Sequence, residues 1–137
     1  MMGEILGIYE KTTQNVTVRV EPDYLEDQSR PADDHYIWAY TVEIENNRQT
    51  QIQLVERFWQ ISDSRGQCQE IRGSGVMGQT PILKPGEVFR YTSGAPLYAP
   101  SGMMRGTYSL KTPNGDQFDV TIPTFLLDSP HETQSFN

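Results

Sequence analysis

The sequence predicts an all-β protein, an antiparallel β-sandwich of about seven to eight strands. Short segments in which apolar and polar side chains alternate recur along the chain, no segment has the apolar spacing of a helix, and Gly, Pro and Asn separate the segments. This combination is typical of a sandwich, and a β-barrel is the alternative. The 137 residues suffice for one domain. We expect an N-terminal segment over residues 1–14, the sandwich over residues 15–128 and a polar tail over residues 129–137.

Three strands are predicted in the first half of the chain, over residues 15–21, 35–46 and 50–63. The second of these alternates over its whole length, and we expect Trp38 to anchor the core between the sheets. The third changes phase, because Leu54 and Trp59 cannot face the same side of a regular strand. A bulge near Leu54 and Val55 would bring both sets of apolar residues inside. A partner that covers the second face is the alternative.

The remaining strands are predicted over residues 67–72, 88–93 and 103–111, and around Phe118, Val120 and Ile122. Asn114 and Gly115 form the clearest hairpin turn, since this pair tolerates positive φ angles. Pro123 cannot donate to a ladder, so the last strand is expected to end or bend there, at an edge. Residues 93–96 and 99–102 read as loops, and residues 128–137 are polar.

Charge and hydropathy bear on the class of partner. The net charge is −7 and the pI about 4.7, so we expect no nucleic-acid binding, although four arginines (Arg48, Arg57, Arg65 and Arg72) leave a local basic face open. No apolar run of about 18 residues is present, so no membrane span is expected. Without a secretory signal or a second cysteine, the chain is expected in the cytoplasm, with Cys68 a buried or half-buried thiol.

The central motif of the chain is glycine-rich, with Gly73, Gly75 and Gly78 in the spacing G-x-G-x-x-G. In a dinucleotide-binding fold a helix follows these glycines and holds the phosphates, but here Pro81 prevents that helix. We therefore interpret the glycines as turn and bulge residues. A second interpretation stays open, in which the backbone of the loop binds phosphate or pyrophosphate with the help of Arg72 and Lys84.

Two further candidate sites are weaker. Asp33, Asp34 and His35 offer ligands for a divalent cation such as Mg²⁺ or Co²⁺. A solvated turn is the favoured interpretation, because neighbouring side chains on an extended chain point to opposite sides. Aromatic and apolar residues near the end of the core (Tyr91, Leu97, Tyr98 and Met103) are candidates for an exposed patch that contacts a partner.

The sequence offers little for catalysis. Its two histidines, His35 and His131, give few candidates for acid–base chemistry, and it contains no G-x-S-x-G nucleophile motif. No carboxylate cluster has the spacing of a two-metal site. We expect neither enzymatic activity nor a bound cofactor. The hypothesis is an interaction domain for an unidentified protein partner, and the alternative is a binder of a small anion or a divalent cation.

Several segments together carry a family resemblance: Trp-Ala-Tyr-Thr-Val at 38–42, Trp-Gln-Ile-Ser-Asp at 59–63, Gly-Ser-Gly-Val-Met-Gly at 73–78 and Leu-Lys-Pro-Gly-Glu at 83–87. The sequence resembles the ApaG (CorD) family from about residue 16 to residue 130. The resemblance implies a fibronectin type III-like or immunoglobulin-like sandwich, a bacterial cytosolic protein and an association with cobalt resistance and magnesium efflux. Related eukaryotic domains suggest protein–protein interaction. Phe58 stands where bacterial members commonly have His, which removes one potential metal ligand.

Overall fold

The structure is a computed structural model that describes residues 4–5 and 7–131. Residues 1–3 and 6 of the expected N-terminal segment and residues 132–137 of the expected tail lie outside the described residues. In the described part, no helix is long and apolar enough to span a membrane. The strands are β1 Glu4–Ile5, β2 Ile8–Thr13, β3 Val16–Tyr24, β4 Tyr36–Asn46, β5 Ile52–Asp63, β6 Cys68–Ser74, β7 Ile82–Leu83, β8 Val88–Leu97, β9 Ser101–Lys111 and β10 Gln117–Asp128. Two single-turn 3₁₀ helices, Glu26–Gln28 and Pro31–Asp33, separate β3 from β4.

The strands form two sheets, which confirms the predicted antiparallel sandwich. The first sheet has the order β1-β2-β3-β4-β8, and the second has the order β10-β9-β5-β6 with the short β7 also paired to β5. Neighbouring strands are antiparallel. The three strands that sequence patterning missed are β1, β2 and β7. Two of them have only two residues each, too few to show alternation.

Strand β2 was missed for a different reason, since its six residues are only half-buried or exposed. It pairs with β3 through a two-residue turn in which Gln14 and Asn15 have φ angles of 49° and 65°. Positive φ at both positions is the type I′ geometry that matches the twist of a hairpin. Asn15, expected as the first residue of a strand, is therefore a turn residue, and Asn tolerates this conformation better than most residues.

Aromatic rings from both sheets fill the core. Trp38 is 1% exposed, as expected for an anchor, and its indole Nε1 donates to the backbone oxygen of Asp128 at 2.9 Å. Tyr40 of the first sheet meets Trp59 of the second at a centroid distance of 5.3 Å, and Phe125 lies 5.9 Å from both rings. Tilted and edge-to-face contacts of this kind add to the stabilisation that burial gives.

The predicted bulge in β5 is confirmed, because the register against β9 shifts between Leu54 and Glu56. Leu54 and Trp59 are consequently both buried. The same shift changes the side to which the following residues point, so that Arg57 shares the inward phase of Trp59. An arginine thus faces the interior of the sandwich, close to the edge of the second sheet.

Strand β8 continues beyond the predicted end at residue 93, so the expected loop at residues 93–96 is wrong. Ala95 and Leu97 point inward and are buried. The Asn46 N–H donates to the Glu87 oxygen, and hydrogen-bonded pairs in an antiparallel ladder alternate. The odd-numbered residues of β8 therefore bond to β4, and the backbone groups of the even-numbered residues point to the free edge. By this alternation Pro96 has its nitrogen on the free edge of the sheet, where a missing N–H costs nothing.

Pro123 bends the last strand without ending it. The pairing of β10 with β9 shifts register between Ile122 and Phe125, and it then continues to Asp128. Because β10 is the last strand of its sheet, the bulge that accommodates Pro123 disturbs one ladder only. Leu127, beyond the bulge, is fully buried.

Asn46 stabilises the turn in which the chain passes from β4 of the first sheet to β5 of the second sheet. Its side chain is fully buried. Its Nδ2 donates to the backbone oxygens of Thr50 and Leu83 at 3.0 and 2.9 Å, and its Oδ1 accepts the Arg48 N–H at 2.9 Å. A buried amide with three partners costs little to bury and specifies the path of the turn.

Candidate functional site

One side of the sandwich is open. The strands at this side are β8, the last of the first sheet, and β6, the last of the second. On the opposite side β10 packs against β2 and β3. Strand β6 packs chiefly against β5, and six of its seven residues are exposed, with Gly73 half-buried. The first sheet ends before it can cover β6, so both faces of this strand meet solvent.

The exposed Cys68 corrects the expectation of a buried or half-buried thiol. Gln69 and Ile71 lie on the face of β6 that points toward the first sheet, since Ile71 pairs with the inward Trp59. They are exposed for the same reason, and Ile71 is 39% exposed. Local alternation identifies the two faces of a strand, but burial requires a second sheet above it.

Backbone groups of β6 also lack a partner within residues 4–5 and 7–131. The Gly75 N–H donates to the Val55 oxygen and the Asp63 N–H donates to the Gln67 oxygen, one at each end of the hairpin. Ladder bonds in an antiparallel pair alternate, so the odd-numbered residues between these ends bond to β5. The N–H and C=O groups of the even-numbered residues point away from the sheet: Cys68, Glu70, Arg72 and Ser74.

Arg57 lies under the glycine-rich turn. Its Nη1 donates to the backbone oxygens of Ser74 and Gly75 at 3.2 and 2.9 Å. The guanidinium crosses Gly73 so closely that a Cβ there would stand 2.7 Å from Nη1. Gly73 is thus required for the approach of a side chain. In the part of the chain that the structure describes, no carboxylate oxygen lies within ion-pair distance of Arg57.

Tyrosines from both sheets surround Arg57. The hydroxyl groups of Tyr91 and Tyr108 are hydrogen-bonded to each other. Burial raises the pKa of Tyr91, and it raises the pKa of Tyr108 well above its ordinary value of 10.0. Burial also raises the pKa of Tyr40, while a hydrogen bond with Ser93 and the charge of Arg57 act in the opposite direction. The hydroxyls stay protonated at neutral pH, and those of Tyr40 and Tyr91, which line the cleft, are the ones that can donate hydrogen bonds to an anion there.

The cleft at this end of the open side has a volume of about 320 Å³. Its walls combine cationic, hydroxyl and apolar groups from both sheets and from the glycine-rich turn: Tyr40, Arg57, Ser74, Val76, Met77, Gly78, Tyr91 and Ser93. A second cleft of about 400 Å³ lies at the other end of the open side, between β6 and the end of β8. Tyr98, which is 70% exposed, and Arg65 belong to it.

The glycine motif forms a tight turn. Val76 and Gln79 exchange two backbone hydrogen bonds, of 2.9 and 2.8 Å, around Met77 and Gly78 at positive φ. Gly75 also has a positive φ of 58°, and a Cβ there would lie 2.0 Å from the Gln79 oxygen. The glycines therefore meet a steric requirement of the turn, in agreement with the structural interpretation.

Neither of the two cations expected to help the glycine loop, Arg72 and Lys84, lies under the turn that the loop forms. Arg72 stacks over the ring of Phe58 at 4.1 Å, on the outer face of the second sheet. Lys84 lies in the turn between β7 and β8, where its N–H donates to a carboxylate oxygen of Glu87 at 2.8 Å. Arg57, which sequence reasoning did not single out, is the cation under the turn. The bulge predicted near Leu54 and Val55 could have identified Arg57, because it places this residue in the same inward phase as Trp59.

The four residues expected to form an exposed aromatic and apolar patch do not form one continuous surface. Leu97 is buried, and Tyr91 is half-buried beside Arg57. Met103 is 41% exposed, but it pairs with Ser62 and Leu126 on the outer face of the second sheet. Of the four residues, Tyr98 and Tyr91 remain on the open side, one in each cleft.

Two of the residues proposed as ligands for a divalent cation, Asp34 and His35, contact other side chains. Asp34 adopts a left-handed conformation at the end of a 3₁₀ turn, and its carboxylate pairs with Arg65 at 3.2 Å. The ring of His35 stacks on Tyr98 at a centroid distance of 6.3 Å. Among the described residues, no group of three His, Cys, Asp or Glu side chains is placed to hold a metal ion.

Comparison with known proteins identifies the family. The model of the ApaG domain matches residues 26–112. The chain belongs to the ApaG family. Protein ApaG of Paramagnetospirillum magneticum is 48% identical over 130 residues, which are 95% of this chain and all of the relative, and that of Methylorubrum populi is 52% identical over 90% of this chain and 95% of its own. The resemblance read from the sequence is confirmed.

Solved structures of the family agree with the fold. A crystal structure of a Bordetella pertussis protein described as ApaA is 46% identical, with a TM-score of 0.83 over 88% of this chain and 98% of that chain. A second X-ray structure is 36% identical and has a TM-score of 0.80, over 90% of this chain and 93% of that chain. The sandwich described above is therefore the fold of the ApaG family.

Proposed function

We propose that this chain is a non-catalytic interaction domain of the ApaG type that binds another polypeptide along its open side. The observation that supports this function is β6, a strand exposed on both faces, with free backbone groups along its outer edge. Native proteins usually blunt such edges, because they pair readily with other chains. An edge left open beside two clefts is suited to receive an extended segment by strand addition.

The cellular context belongs to the proposal. The resemblance to the ApaG (CorD) family implies an association with cobalt resistance and magnesium efflux, and the proposed function extends this association to the chain, in the cytoplasm. In this proposal the domain acts through contact with another protein. The aromatic and cationic residues of the second cleft, Tyr98 and Arg65, are the types that contribute most at protein interfaces.

Site-specific photocrosslinking in cells tests the proposal. A photoreactive amino acid at position 71, in the middle of β6, should give a discrete crosslinked protein product. The matched control is position 126 on β10, where Leu126 is 46% exposed and Ile71 is 39% exposed. Equal products from the two positions, or none from position 71, would contradict an interaction along β6.

A small anion is the second candidate ligand, and the observation that favours it is Arg57. An arginine that has no ion-pair partner among the described residues, beside protonated tyrosine hydroxyls, is suited to bind phosphate or pyrophosphate. The site differs from the one expected from the sequence, because the cation is Arg57 and not Arg72. Desolvation in the cleft would strengthen the interaction relative to a surface arginine.

An amide-resolved NMR titration with phosphate, pyrophosphate and Mg²⁺ at constant ionic strength tests this candidate. Saturable shifts are expected at residues 74–78 with the anions. Arg57→Gln should abolish these shifts, whereas Arg72→Gln, on the outer face of the same sheet, should retain them. Saturation that survives Arg57→Gln, or the absence of saturation at millimolar anion, would reject the site.

A further inference from the structure

We infer that the outer edge of β6 pairs with β6 of a second copy of this chain, antiparallel and centred on Ile71. The inference rests on the proposed function, since it names the partner of the same edge. The resulting interface is isologous: the same strand contributes both sides, and the second sheets of two copies join into one continuous sheet.

Backbone geometry restricts the register. The free N–H and C=O groups belong to the even-numbered residues, so an even-numbered residue must face an even-numbered one. Pairing centred on Glu70 would place two identical carboxylates opposite each other, and pairing centred on Arg72 would do the same with two guanidinium groups. Pairing centred on Ile71 places each Glu70 opposite Arg72 of the second copy. Like charges directly opposite are destabilising and unlike charges stabilise, so the register centred on Ile71 is favoured.

Side chains on both faces fit this register. On the outer face two Glu70–Arg72 pairs form, and Arg72 is already held over Phe58 at 4.1 Å. Glu70 accepts a hydrogen bond from Gln60 at 2.9 Å, which positions the carboxylate on the same face. On the inner face the two Ile71 residues form a non-hydrogen-bonded pair, in which opposite side chains lie closer together than in a hydrogen-bonded pair. Each Ile71 side chain, which is 39% exposed in one copy, is then covered by the other.

Position and charge also single out this edge. Because the first sheet stops before β6, a second copy can approach without meeting that sheet. Residues 52–80 contain three arginines and three carboxylates, so they are neutral in a chain of net charge −7. Two copies therefore meet at a segment that has no net charge of its own. The edge of β8, by contrast, contains Pro96, which has no N–H to offer.

The interface is small. Two seven-residue strands bury less than the ~1,200 Å² at the lower limit of stable specific interfaces, so a weak, concentration-dependent dimer is expected. Contacts of this size are of the transient class. The two Glu70–Arg72 pairs are exposed, so high salt should weaken the dimer further.

Charge exchange provides the test. Sedimentation equilibrium of the purified full chain should show a monomer–dimer equilibrium. Arg72→Glu and Glu70→Arg should each weaken dimerisation at least ~10-fold, because each creates like-charge pairs, and the double variant should restore it to within ~3-fold of the native chain. Unchanged thermal unfolding of each variant shows that the fold is intact. A native chain that stays monomeric up to ~1 mM, or a double variant that fails to recover, overturns the inference.

Disulfide trapping tests the register. In a Cys68→Ser background, Ile71→Cys should form an intermolecular disulfide much faster than Leu126→Cys on the opposite edge, and equal rates would contradict the pairing. The outcome separates the two proposals. A monomeric chain that still crosslinks to a different protein through position 71 in cells overturns self-pairing and leaves the proposed function standing. Failure of both experiments rejects both.

Discussion

Gly75→Ala adds a single methyl group at the tightest point of the glycine-rich turn. The new Cβ would lie 2.0 Å from the Gln79 backbone oxygen, far inside van der Waals contact, and φ at this residue is 58°. A matched control exists three residues along the chain. Gly78 has a φ of 76°, but its added Cβ would meet no atom within 4 Å. The two substitutions therefore differ mainly in steric overlap.

The magnitudes follow from this difference. An L-residue in the left-handed region costs about 1–2 kcal/mol, which is the whole effect expected of Gly78→Ala. At Gly75 the turn must also open, and the two backbone hydrogen bonds between Val76 and Gln79 contribute about 1 kcal/mol each. We expect Gly75→Ala to lower the free energy of unfolding by about 3–4 kcal/mol.

Chemical denaturation of the two variants measures the difference. The midpoint of Gly75→Ala should shift about twice as far as that of Gly78→Ala at an unchanged m-value. Equal shifts would refute the steric argument. A loss of anion binding by a fully stable Gly75→Ala would instead mean that the glycine serves a ligand and not the turn.

Three further expectations concern buried and exposed polar groups. Because burial raises the folded-state pKa of Tyr91 and Tyr108, the unfolded chain ionises first above pH 10, so stability is unaffected below pH 10 and falls above it, by up to about 1.4 kcal/mol per pH unit for each tyrosine. Circular dichroism against pH should show this loss, and replacing both by Phe should reduce it, leaving the part that comes from the raised pKa of Tyr40; a native chain indifferent to pH 11 would contradict it. Asn46→Ala leaves buried carbonyl groups unpaired and should lower the free energy of unfolding by about 2–4 kcal/mol in urea, whereas less than about 1 kcal/mol would count against the three bonds. The exposed Cys68 should react stoichiometrically with a thiol reagent in the native state, and reaction only after unfolding would contradict its exposure.

Alternation within a strand was sufficient to predict most of the sandwich. The pattern of residues 35–46 identified Trp38 as a core residue, and the change of phase after Leu54 identified the bulge. Strand ends were less well predicted. Pro96 looked like a loop residue, because its effect depends on whether the neighbouring edge is occupied, and no local pattern carries that information.

The site was only partly predictable. The glycine motif was found in the sequence, and its interpretation as a turn agrees with the φ angles of Gly75 and Gly78. The cation beneath it was not found. Arg72 and Lys84 flank the motif in sequence, whereas Arg57 reaches it across the hairpin from the neighbouring strand.

The sequence by itself determined which side of most of the longer strands is apolar and where the clearest turns lie, because both depend on neighbouring residues. Only the tertiary structure decided that β6 stays uncovered. Its apolar residues Cys68 and Ile71 fall on opposite faces of the strand, and both are exposed. Burial of a strand depends on what packs above it, and the first sheet ends at β8. The open edge therefore follows from how the two sheets overlap, a long-range property that no segment of the chain encodes alone.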